Sequence, residues 1–140
     1  MTPDPTLVLH LRVVGVLMAL LVVVNFFVPA RFHWHEELSR VSLVNRQIFQ
    51  VHTVFIVLMV AMMSALFLTC AEALLEPTRL SRAVLIGLTV FWGLRMLMQW
   101  FFYSPLVWRG NRVHTVMHGV FSLGWIYVTA VCGLSLRSIS

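Results

Sequence analysis

Four long apolar runs, Leu7–Val28, Ile48–Leu75, Ala83–Tyr103 and Val113–Leu136, occupy most of this 140-residue chain and leave it few folds to choose from. Each reaches or exceeds the roughly 20 residues that a helix needs to cross a bilayer. Inside lipid every backbone N–H and C=O must be bonded within the protein, and a continuous apolar run does this as a helix. A membrane barrel would show apolar residues at every second position, and these runs show no such alternation. Short connections then predict an all-α, integral membrane four-helix bundle of up-down-up-down topology. The expected spans are about 6–29, 45–76, 81–104 and 112–136, in one domain covering 1–140. The first run is read as a retained helix rather than a signal peptide, because it is long and its basic flank is a single arginine.

Composition excludes several alternatives. The chain is 60% apolar and 11% charged, where a soluble domain carries about a quarter charged residues. Its net charge of +5 comes from arginine alone, without a lysine. In a soluble protein this would suggest nucleic acid. Here the arginines sit mainly in connections and at helix ends, where anionic lipid headgroups account for them. The chain is expected to be a multi-pass protein of a bacterial-type inner membrane, alone, as a homo-oligomer or in a larger membrane complex. Cys70 and Cys132 are read as small buried residues, although both lie toward the same end of their spans.

Turn chemistry supports the spans. Pro29 ends the first, Pro77 stops the second, and Pro105 stops the third. Ser42 or Asn45 can cap the second span, Thr78 or Ser81 the third and Asn111 the fourth. The first connection, "RFHWHEELSRVSLV", spaces Leu38, Val41 and Val44 as one face of a helix, which predicts a short helix lying at the interface. One membrane side, called side B, carries connections 1–2 and 3–4; side A carries the termini and connection 2–3. Arginines divide five to four between them, which is too even to orient the chain.

The polar residues are less even. Counting inward from side B at about 1.5 Å per residue, Asn25 lies about 6 Å deep, Gln99 about 9 Å, and His52 and His118 about 10 Å. His114 is about 4–5 Å deep, and Arg95, the deepest charge, about 15 Å. All four spans thus place a polar side chain in one slab, with "HWHE" (His33 to Glu36) above it. Polar groups at membrane depth are costly and usually face one another or a ligand. Helical spacing gives three stripes: His114, His118, Phe121 and Trp125; Leu88, Trp92, Arg95, Gln99 and Phe102; and Asn45, Phe49, His52, Ile56 and Met59.

These residues permit several chemistries. His114 and His118 stand at i and i+4, the spacing that lets two imidazoles chelate one ion. With His52, and with His33, His35 or Glu36 from above, they form a candidate site for Zn, Fe or Cu. Arg95, Gln99 and Glu36 are the candidate catalytic groups for metal-dependent or redox chemistry on a lipophilic substrate. Alternatively, His52 and His118, at equal depth on two helices, could bind a b-type haem, with Arg95 pairing a propionate. Small four-helix b-type cytochromes resemble this general plan. A third reading has Arg95, Gln99 and the histidines bind a quinone or another polar-headed lipid. A fourth is a non-catalytic accessory subunit. Arg95 cannot shed its charge, so it needs a partner, with Glu36 and Glu37 the candidate carboxylates.

Overall fold

A computed structural model of the chain describes residues 3–31, 34–102 and 112–140. It is all-α among these residues. The elements in order are α1 (Pro5–Arg31), α2 (Trp34–Ser39), α3 (Leu43–Thr69), α4 (Ala71–Leu74), α5 (Arg79–Phe101) and α6 (Arg112–Ser138). Helices α1, α3, α5 and α6 are the four long apolar ones, each with a stretch of 23 or 27 residues long and apolar enough to cross a membrane. At about 1.5 Å per residue, 23 residues reach about 35 Å, enough for the roughly 30 Å hydrocarbon layer. This is the make-up of a four-helix membrane bundle, with the short helix α2 in the first connection. The surface agrees with a lipid environment. Residues such as Leu123 (70% exposed) and Phe55 (65%) face outward all along the helices, where water would disfavour them. The chain is a multi-pass integral membrane protein.

Local chemistry explains the ends. Ser42 caps α3, its hydroxyl accepting from the Asn45 N–H at 3.4 Å. Thr78 caps α5, accepting from the Ser81 N–H at 3.1 Å, while the Ser81 hydroxyl donates to the Ala73 carbonyl at 2.9 Å and ties the cap to α4. The second span differs from the continuous helix to 76 expected from its sequence. α3 ends at Thr69, Cys70 caps it, and α4 adds one turn before Pro77. The Thr69 hydroxyl bonds the Ala65 carbonyl at 2.7 Å, as Thr53, Thr89 and Thr129 bond the carbonyl four residues back inside uninterrupted helices. Asn111 and Pro105 lie outside the described residues.

The chain divides into two compact units, Leu11–Ala71 and Met1–His10 with Glu72–Ser140. In the first, α1 and α3 meet at Gly15. The Ser64 hydroxyl donates to the Gly15 carbonyl at 2.8 Å. A Cβ at Gly15 would sit 2.7 Å from Leu68 Cγ and 3.2 Å from the Leu68 backbone nitrogen. Glycine therefore lets the two helices approach closely, as small residues do between membrane helices. In the second unit, α5 and α6 run antiparallel. Arg82 Nε donates to the Ile139 carbonyl at 3.1 Å near one end, Trp92 stacks on Trp125 in the middle, and Gln99 meets His118 near the other. At the α1 start, His10 Nδ1 and the Tyr127 hydroxyl lie 2.8 Å apart.

Burial is uneven along the helices. α3 buries Val60, Ser64 and Phe67, all in its second half, and α6 buries Trp125, Val128, Val131, Cys132 and Ser135, from its midpoint onward. α5 buries Ser81, Leu85, Leu88 and Trp92, and then Gln99 close to its end. A buried glutamine there is the fold's most direct pointer to a site.

Candidate functional site

Gln99 is 7% exposed. A buried amide must have partners for both its oxygen and its nitrogen. Its oxygen accepts from Arg95 Nη1 at 3.2 Å, one turn back on α5. Its nitrogen lies 2.9 Å from His118 Nδ1, across on α6. Helical spacing puts Arg95 and Gln99 on one face, and the antiparallel pairing brings His118 opposite. The depths counted from the sequence, about 9 Å and about 10 Å, matched for this pair.

Arg95 has a second contact. Its guanidinium carbon lies 5.1 Å from the centre of the Trp125 ring, within the cation–π range. Trp125 stacks on Trp92 (centroids 5.1 Å apart, planes 14° apart) and on Phe121 (6.0 Å, 17°). The charge thus sits between an amide oxygen and an aromatic face. The indole Nε1 atoms of Trp92 and Trp125 and the Ser122 hydroxyl are buried without a hydrogen-bond partner among the described residues. The Ser135 hydroxyl, toward the other end of α6, is buried in the same way.

Other expected site residues fall elsewhere. His114 is half-buried one turn before His118. His52 is exposed, and its Nδ1 lies 2.8 Å from the Ile48 carbonyl on its own helix. Its companions Asn45, Phe49, Ile56 and Met59 are exposed too. Asn25 also turns back on its own helix, donating to the Leu21 carbonyl at 2.8 Å. Glu36 is exposed on α2. His33 and the side chains of His35 and Glu37 lie outside the described residues. Among the described residues no three His, Cys, Asp or Glu side chains gather as a metal site requires. Cys70 and Cys132 are free thiols, Cys132 fully buried.

No family model, curated protein or solved structure matches this chain. Its chemistry must therefore be argued from the atoms at the site.

Those atoms separate the two histidines of the haem reading. A carbonyl only accepts, so His52 Nδ1 carries the proton in its bond to Ile48, and Nε2 keeps its lone pair. Metal-binding histidines have this arrangement, donating through one nitrogen and ligating through the other. His118 has the reverse. Its Nδ1 accepts from the Gln99 amide, so its neutral ring carries the proton on Nε2. His52 is thus in a form that fits a metal or haem iron, and His118 is in a form that donates.

Sequence reasoning missed two features. The indole stack was present in the stripes, but spacing does not show which rings touch across helices. The His10–Tyr127 pair was hidden because its two members lie at different depths, about 8 Å from the start of α1 and about 16 Å from the end of α6.

Proposed function

We propose that the α5–α6 layer binds a lipophilic molecule whose head presents carbonyl oxygens, a quinone being the type, taken from the surrounding bilayer. The observation that carries this is the buried Gln99, held by Arg95 on one side and His118 on the other, beside stacked indoles. A quinone head offers acceptors and a flat apolar ring. Its oxygens suit the half-buried guanidinium of Arg95, and its flat apolar ring suits a helix pair rich in aromatic side chains. Its tail suits the exposed apolar helix faces. Redox chemistry on such a head, and membership of a larger membrane complex, are extensions of the same proposal.

The test is a titration of purified protein in detergent micelles with a benzoquinone bearing a ten-carbon chain. Saturable quenching of tryptophan emission at micromolar ligand is the expected result. Quenching that only rises linearly with ligand, as collision in the micelle gives, contradicts the proposal.

His52 favours a second reading, a metal or b-type haem, because its exposed Nε2 is a ligating nitrogen. Gln99 would have to turn over before His118 could ligate through Nε2. An absorption spectrum and elemental analysis of the purified protein test this reading. A Soret band, or stoichiometric Zn, Fe or Cu lost in His52→Ala, supports it; neither signal in the wild type overturns it.

A further inference from the structure

An arginine can set the tautomer of a histidine that it does not touch. Gln99 has one acceptor, Oε1, and one donor group, Nε2. It stands between Arg95 and His118, 3.2 Å from Nη1 of the first and 2.9 Å from Nδ1 of the second. Arg95 owns donors and no acceptor. Were the amide turned over, its N–H would face the guanidinium N–H, donor against donor, in a buried place with no water to relieve it. Arg95 therefore fixes Oε1 toward itself. The N–H is then directed at His118 Nδ1, which has to offer its lone pair.

We infer that Arg95 acts through Gln99 to hold His118 as the Nε2–H tautomer, making Arg95 and Gln99 positioning residues for His118. The proton then sits on Nε2, the form that bonds an oxygen acceptor and has no lone pair there for a metal ion. His118 in this form favours oxygen acceptors over metal ions. This selectivity deepens the quinone reading and rests on it, whereas the tautomer itself does not. The rule is a local one. His52, whose Nδ1 partner is a carbonyl, takes the opposite tautomer in the same chain.

Nitrogen NMR of full-length protein labelled with ¹⁵N in the histidine rings reads the tautomer directly, without ligand. The measurement is made in micelles at about pH 8.5, two units above the usual imidazole value of about 6.5. His118 is assigned by loss of its signals in His118→Gln. If that variant does not fold, through-space contacts to the Gln99 side chain assign it instead. The expected wild-type result is a pyridine-type Nδ1 and a pyrrole-type Nε2. In Arg95→Leu both tautomers appear, because the amide is released. Arg95→Lys, again a donor only, keeps the wild-type pattern. Gln99→Glu, which offers only acceptors, moves the proton onto Nδ1. A protonated Nδ1 in the wild type overturns the inference, as does an Arg95→Leu spectrum identical to the wild type. Failure of quinone binding leaves the tautomer result standing, so the two proposals fail separately.

Discussion

The α1–α3 contact and the α5–α6 contact solve the same problem with different materials. Both join apolar helices that gain nothing from hiding in one another rather than in lipid. Between α1 and α3 the solution is smallness: Gly15 admits Leu68, and Ser64 reaches the Gly15 carbonyl. Between α5 and α6 the solution is size and polarity: an indole stack, a guanidinium over its face, and an amide bonded on both sides. Backbone contact needs no donor left over. The α5–α6 layer leaves the two indole N–H groups without partners among the described residues. The first contact closes on itself, and the second, with its guanidinium and doubly bonded buried amide, is the one proposed as a site.

Breaking each contact should show this difference. The largest stability loss is expected from Gly15→Val, where the new side chain meets both Leu68 Cγ and the Leu68 backbone. Overpacking of this kind costs about 1–3 kcal/mol. Reversible unfolding in mixed micelles should show it, and adding Leu68→Ala should recover part of it. A neutral Gly15→Val would mean that the helices do not meet there. Gln99→Leu comes next. It removes the partner of an arginine donor and of a histidine acceptor, at about 1–2 kcal/mol by the same unfolding assay. Stability equal to the wild type would show that the amide is not bonded as described. Ser64→Ala should be smallest, about 0.6 kcal/mol, the usual worth of one hydrogen bond between membrane helices. A loss above about 2 kcal/mol would exceed the largest such bonds measured in membranes and point to an additional role for the serine.

The sequence carried much of this arrangement. Run length and the lack of period-2 alternation were enough for four membrane helices, and turn residues such as Ser42 and Thr78 marked where two of them begin. The α5–α6 part of the site was legible because depth and face both follow from helical geometry. Arg95 and Gln99 share a face one turn apart, and Gln99 and His118 share a depth. His52 shows where this stops. It has the same depth as His118, but depth is one coordinate, and the rotation of a helix about its axis is set by packing. With α3 buried only at Val60, Ser64 and Phe67, the stripe through His52 is exposed. The end of α3 at Thr69 was not legible either, because no glycine or proline stands there. Nor does any spacing rule distinguish a histidine whose Nδ1 meets a carbonyl from one whose Nδ1 meets an amide nitrogen.

The central claim is that the α5–α6 layer, unlike the α1–α3 contact, is built to hold a ligand. Its most direct test is one titration run on two variants, each folded and in micelles, with the ten-carbon benzoquinone as probe and tryptophan emission as readout. Arg95→Leu should weaken binding tenfold or more, since the charge beside the Trp125 face is gone. Ser64→Ala should bind as the wild type does. Equal binding by both variants, or a greater loss in Ser64→Ala, would contradict the account.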